Sequence, residues 1–280
     1  MTVTDLTASA PIPKFRRDFR DQDIPDFPDE SLGLLQRYTG EKDVTALKKH
    51  VVGIVEDVKR DLHVYGCISN VLFLEPRAPL HPFYPTFIAS QTSSTRTLEV
   101  GVCFGTDFRQ YVLDGVNPKN VTVADLHDGY WKLGGKLYKD EASKGMIEGV
   151  NTLFGDFAAV EGGERAIDLK KEGLDGTFDF VLTILVIHVF SYNEGKRFLT
   201  RLHQALRPGG ILFGQGGGST HSGPWDSQTL SGAEVRWRHN ASSLKQLLEE
   251  IGFVDVEVLE QPFGVDRRQG WEKISIGDES

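Results

Sequence analysis

The stretch from Arg96 to Asp125, RTLEVGVCFGTDFRQYVLDGVNPKNVTVAD, constrains this chain more than any other. Thr97 to Val100 is a short apolar run around one carboxylate, Glu99. Gly101 and Gly105 bracket a turn, a helical pattern covers Phe108 to Asp114, and a second β-like run, Val121 to Ala124, delivers Asp125. Strand, glycine turn, helix, strand and terminal acid make one half of a nucleotide-binding α/β unit. Glycine permits the tight turn and lets backbone approach a ligand with no Cβ between them. Thr106 or Asp107 is placed to cap the helix, whose first N–H groups face that ligand. Asp125 comes 20 residues after Gly105, the usual place of an acid that reads ribose hydroxyls. With the adjoining Leu126 it forms the candidate nucleoside contact.

The glycines run G-x-x-x-G, with Cys103 between them, rather than the G-x-G-x-x-G of a pyrophosphate binder. An acid at position 99 repels a pyrophosphate and suits a cationic amino group. S-adenosylmethionine carries such a group beside a sulfonium and has no phosphate, so Glu99 and Asp125 together favour it over a nicotinamide dinucleotide. The alternative is an unliganded α/β core with a buried, hydrogen-bonded Glu99.

Alternation continues through the chain. Residues 1–30 hold four of the twelve prolines and read as an arm. A helical cap follows over 31–94, and residues 95–280 form the cofactor-binding domain. Within the cap, Asp43 to Leu62 has Leu47, Val51, Ile54, Val55 and Val58 at helical spacing behind Asp43 as N-cap. The segment 65–85, YGCISNVLFLEPRAPLHPFYP, is rich in aromatics and proline, which excludes a long helix and suits a pocket wall. Tyr65, His81 and Tyr84 are its candidate substrate contacts. A helix is expected from His127 to Asp140 and a third strand from Val150, ending in Asp156-Phe157. That carboxylate and ring suit an adenine amino group and its face. Thr177 to His188 is the strongest strand signal, apolar on both faces as a central parallel strand requires. It carries Thr183, a further cofactor candidate, and ends at His188. An amphipathic helix, Asn193 to Leu206, leads through Arg207-Pro-Gly-Gly to a strand from Ile211. The polar loop 214–226 offers His221 and Trp225. Asn240 to Ile251 reads as a helix, and Val254 to Leu259 with Glu272 to Ile276 as two closing strands.

The net charge of −9 argues against nucleic-acid or anionic-membrane partners. Cys67 and Cys103 make neither a disulfide framework nor a zinc site. No Cys, His and carboxylate cluster argues for a metal. The longest apolar run, Phe180 to Phe190, is too short to cross a bilayer, and the N-terminus has no apolar signal core. The expectation is a cytoplasmic protein with a small-molecule substrate; a homodimer is left open.

On these residues the sequence resembles the class I S-adenosylmethionine-dependent methyltransferases. The pieces are LEVGVCFG, VTVAD, GDF, FDFVLTILVIH and LRPGGILF, spread over roughly residues 95–276. A closer likeness is to small fungal methyltransferases of meroterpenoid pathways, through YGCI at 65–68, FLEP at 73–76, HPFY at 81–84 and VGVCFGTDFR at 100–109. The resemblance implies a doubly wound, mostly parallel, seven-stranded Rossmann-like sheet. It also implies methyl transfer to a carboxylate of a prenylated aromatic or polyketide acid. His188 is then a base, a substrate hydrogen bonder or a packing histidine. A phenol acceptor would need the base, titrating near ~6.5. A non-methylating enzyme and a cofactor-binding regulatory protein share the same fold.

Overall fold

Short apolar strands alternating with amphipathic helices leave one economical arrangement, a parallel sheet with helices carrying the returns. The computed structural model, which describes residues 20–142, 146–225 and 236–261, has that arrangement. Ahead of the sheet come α1 (Gly33–Thr39), α2 (Val44–Asp61), α3 (Gly66–Ser69) and α4 (Tyr84–Ala89). The alternating part runs β1 (Thr97–Val100), α5 (Thr106–Leu113), β2 (Val121–Asp125), α6 (Asp128–Leu137) and β3 (Asn151–Phe154). It continues with β4 (Phe178–Ile184), α7 (Tyr192–Ala205) and β5 (Leu206–Gln215). A small antiparallel pair, β6 (Gly223–Trp225) with β7 (Arg236–Arg238), precedes α8 (Ala241–Ile251).

The strand order is β3-β2-β1-β4-β5, every pair parallel. The chain therefore walks outward from β1 to β3 and returns to the other side of β1 with β4. Such a reversal opens a crevice at the carboxyl ends of the strands, where ligands bind. Phe87 of α4 with Phe108 and Tyr111 of α5 cover one face, over Val121, Val123, Phe180 and Leu182. Phe198, Leu199 and Leu202 of α7 with Leu247 of α8 cover the other, over Leu98, Val100, Ala124 and Val181. Cover on both faces is why β4 is apolar at nearly every position.

Asp43 caps α2 through the Ala46 N–H at 3.0 Å. The buried stripe of that helix, Leu47 to Val58, packs on Leu133, Leu137 and Tyr138 at α6 and on Phe104 of the glycine turn. Each aliphatic side chain so withdrawn from water contributes roughly 1.5–3 kcal/mol. The part of the expected arm within the described residues, 20–30, lies on the same cap. Phe27 joins its core and Asp26 pairs with Lys48 at 3.3 Å. Residues 1–19 of the arm are outside the described residues.

Three expectations change. The sheet has five described strands, where seven were expected. Val254 to Leu259 has no ladder partner among the described residues, and Glu272 to Ile276 lies outside them. The Thr177 to His188 run is a strand only to Ile184, because Leu185 turns left-handed at φ 56° after donating to Gln215 O at 2.8 Å. Finally, β5 starts at Leu206 and not Ile211: Leu206 pairs with Phe178, Arg207 to Gly210 bulge outward, and pairing resumes at Ile211 with Phe180.

One ion pair joins the helices to the turn. Arg109 of α5 is wholly enclosed, and its Nη1 donates to Phe104 O at 2.7 Å and Gly105 O at 3.0 Å. Its Nε and Nη2 donate to the two oxygens of Asp140, just past α6. Replacing Asp140 with Ala strands that charge and is expected to cost about 3–5 kcal/mol. Urea unfolding should read this as a lower midpoint at unchanged slope. A loss below about 1 kcal/mol would mean the turn holds without the pair.

Candidate active site

The reversal between β1 and β4 sets the geometry. Gly101 and Val102 donate to Ala124 O at 2.8 and 3.1 Å, so the turn begins in register with β2. Gly101 has φ +84°, and a Cβ there would run into the Cγ2 of Val186, the residue that crosses over from β4. Gly105, at φ +69°, faces Arg109 and Trp131, with a Trp131 carbon 2.6 Å from where a Cβ would sit. Both glycines therefore serve close packing of the chain on itself as well as the tight turn. Gly134 in α6 serves the same purpose against Phe104 O.

Asp125 ends β2 beside this turn. Its Oδ2 accepts from the Cys103 N–H at 2.8 Å and its Oδ1 from the Leu126 N–H at 2.7 Å. Burial raises its pKa, and those backbone donors oppose the rise. The Leu126 carbonyl accepts from Arg165. At the end of β1, Glu99 is almost wholly enclosed, and its Oε2 accepts from Tyr111 OH at 2.8 Å. Burial first, then the charge of Asp107, pushes the Glu99 carboxyl well up. Burial also lifts Asp107 to about 7 while it accepts from the Arg77 and Ala78 N–H groups, both at 2.6 Å. The acids at the ends of β1 and β2 suit a nucleoside whose tail carries a cationic amine.

Other candidates divide. Asp156 lies past β3, where its Oδ1 accepts from Ala158 and Ala159 N–H at 2.7 and 2.9 Å. That turn rotates Phe157 inward, where the ring is 4% exposed and packs edge-on against Phe198. The Thr183 hydroxyl is likewise buried and donates to Val100 O at 3.1 Å, tying β4 to β1. Tyr84 is turned into the core, where its hydroxyl donates at 2.6 Å to Asp114 at the end of α5 and feels the charges of Asp107 and Glu99. Tyr65 stacks edge-on against His63 at 4.6 Å and lies beside Tyr130, with Cys67 and Cys103 packed on the same cluster. The cap's 65–67 segment thus borders the glycine turn.

His81 packs on Phe213 at 5.5 Å, and its Nδ1 accepts from the Phe83 N–H at 3.1 Å. His221 is exposed, 3.1 Å from Thr220 Oγ1. The Trp225 side chain lies outside the described ones, although its backbone pairs with Arg236.

His188 sits on a one-turn 3-10 helix, Ile187–Val189, and not at the end of β4. Its Nδ1 accepts from the Gly217 N–H at 3.2 Å, and its carbonyl accepts from Arg238 Nη1 at 3.3 Å. Burial, reinforced by Arg238 and Arg236, pushes its pKa down to about 4. This replaces the titration near ~6.5 expected of an unperturbed ring. Two residues escaped the sequence reading, Arg109 and Asp140. The signal available was an arginine at the apolar face of a short helix, four positions after Gly105.

Removing the Asp125 carboxylate should leave ribose hydroxyls unpaired. Asp125→Ala is expected to weaken S-adenosylhomocysteine binding by about 1–3 kcal/mol. Calorimetry on the folded variant checks this, and unchanged affinity would reject the ribose role.

A family model described as a methyltransferase domain matches residues 98–214, from β1 to the end of β5. The O-methyltransferase atr3 of Stereocaulon alpinum is 32% identical over 224 residues, 79% of this chain and 61% of that protein. The O-methyltransferase phiE of a fungal species (strain ATCC 74256) is 30% identical over 70% of this chain and 63% of its own length. The Asnovolin E/Chermesin D methyltransferase nvfJ of Aspergillus novofumigatus is 26% identical over 90% of this chain and 87% of its own. The chain thus spans about three fifths of the first two relatives. No helix among the described residues is long and apolar enough to cross a membrane. With the parallel sheet, its switch point and the glycine turn ahead of Asp125, these matches make residues 98–214 the cofactor-binding domain of a class I S-adenosylmethionine-dependent methyltransferase.

Proposed function

We propose that the protein transfers a methyl group from S-adenosylmethionine to the carboxylate of a small natural-product acid, forming a methyl ester. The hydrogen bonding of His188 carries this reading. Because its Nδ1 accepts the Gly217 N–H, the ring proton resides on Nε2. In that tautomer Nε2 gives a hydrogen bond and has no lone pair with which to take a proton. A pKa near 4 keeps the ring neutral around pH 7. A carboxylate is already ionised there and needs a donor to orient it, whereas a phenol, at ~10, needs a base. Bound S-adenosylmethionine supplies an electrophilic sulfonium methyl. The protein's share is then to align an oxygen with it and exclude water.

Asp125 would hold the ribose hydroxyls and Glu99 the amino group. The names of two relatives, both O-methyltransferases, favour an oxygen acceptor, and that of nvfJ favours a secondary metabolite.

The test is chemical. Products made with methyl-labelled cofactor and a pool of natural-product acids should release their label as methanol in mild alkali. Label retained as an alkali-stable ether would overturn the ester reading. His188→Gln is expected to slow turnover about tenfold or less, the scale of one hydrogen bond. With chemistry limiting, the parent's rate should be flat between about pH 6 and 8, because its histidine has lost its proton well below that window. A rising limb that the variant abolishes would assign a base instead.

A further inference from the structure

We propose that Arg77 is a carboxylate-binding residue of this site, its guanidinium placed to pair with a carboxylate on a bound ligand. Arg77 is 7% exposed, yet its guanidinium meets no carboxylate, carbonyl or ring among the described residues. Its nitrogens are also absent from the unpaired polar atoms that are wholly sealed from solvent, which are His63 Nε2, Thr97 Oγ1, Trp237 Nε1 and Gln261 Nε2. Each therefore keeps some contact with solvent, within the 7% this residue exposes. Arginine does not shed its proton to escape burial, and an enclosed, uncompensated guanidinium is costly. In a chain of net charge −9, the nearby acids are committed elsewhere. Asp107 accepts the backbone N–H groups of Arg77 and Ala78, and Glu75 accepts from Ser31.

The backbone fixes where this residue is anchored. Its N–H donates to Asp107 in the first turn of α5, and its carbonyl accepts from Gln215 Nε2 at 3.0 Å, at the last residue of β5. Both partners belong to the carboxyl edge of the sheet, which Gly101, Asp125 and His188 also border. Glu99 lies close enough to Asp107 to feel its charge. Arg77 through its backbone N–H and Glu99 through its charge are thus both tied to Asp107, and a basic and an acidic residue at one place suit a zwitterionic amino-acid tail. The carboxylate can come from that tail of the cofactor or from the methyl acceptor; the second source rests on the ester reading above.

Arg77→Gln and Arg77→Lys separate the possibilities. Without ligand, Arg77→Gln is expected to melt no lower than the parent, because it removes an uncompensated charge. A clear fall in melting temperature would mark a structural arginine and overturn the proposal. If the cofactor supplies the carboxylate, Arg77→Gln should bind S-adenosylhomocysteine at least tenfold more weakly. Its affinity for the decarboxylated analogue should not change, and Lys should restore part of the loss. If the acceptor supplies it, S-adenosylhomocysteine binding stays as it was. KM for an acid acceptor from the labelling screen then rises at least tenfold, with a smaller change in kcat. Unchanged values in both arms, on a folded variant, would refute the proposal. Alkali-stable products from the parent would sink the ester reading alone and leave the cofactor arm standing.

Discussion

The guanidinium of Arg109 is the interaction on which the rest of this site depends. It gathers two carbonyls of the glycine turn, those of Phe104 and Gly105, and is neutralised by Asp140 past α6. Tyr138 and Trp131 lie over it at 4.6 and 5.0 Å, excluding water from the pair. A charge this enclosed is tolerable only while its counter-ion and acceptors stay in place. One side chain thereby fixes α5, α6 and the turn between β1 and α5 relative to one another. The cap inherits this arrangement because its buried face rests on Phe104 and α6.

From that fixed turn the chemistry follows by contact. Gly101 is small because Val186 crosses over it, and Val186 crosses there because Leu185 breaks β4 with a left-handed residue. The break carries His188 out of the sheet and against Gly217, where a backbone N–H takes up its Nδ1. A residue that would titrate in the physiological range if exposed thus becomes a neutral donor. Arg236 and Arg238, on the short strand β7, lower its proton affinity further. The same wall adds positive potential beside the histidine, which favours an anionic acceptor over a neutral one.

Local patterns in the sequence were enough for β1, the glycine turn, β2 and Asp125, because each is encoded within a few neighbouring residues. The helices α2, α7 and α8 were legible for the same reason, through apolar spacing and capping residues. What the sequence hid depends on partners far along the chain. The state of His188 is set by Gly217, 29 residues on, and that of Arg109 by Asp140, 31 residues on. Residue type alone also left the packing of two aromatics unread. Phe157 is drawn inward by the Asp156 turn, and Tyr84 packs into the α4 core and gives its hydroxyl to Asp114. The end of β4 was overrun because Leu185 to Val189 stay apolar after the ladder has stopped, and apolarity does not mark a backbone turn.

The central claim is that His188 presents a proton to the acceptor and does not remove one. Ring nitrogen shifts from NMR of selectively ¹⁵N-histidine-labelled protein, with His188→Gln for assignment, test it most directly. The account predicts a neutral ring protonated at Nε2 and bare at Nδ1, unchanged from pH 8 down to about 5, since its pKa lies near 4. An Nδ1-protonated tautomer at neutral pH, or a titration close to ~6.5, would contradict it.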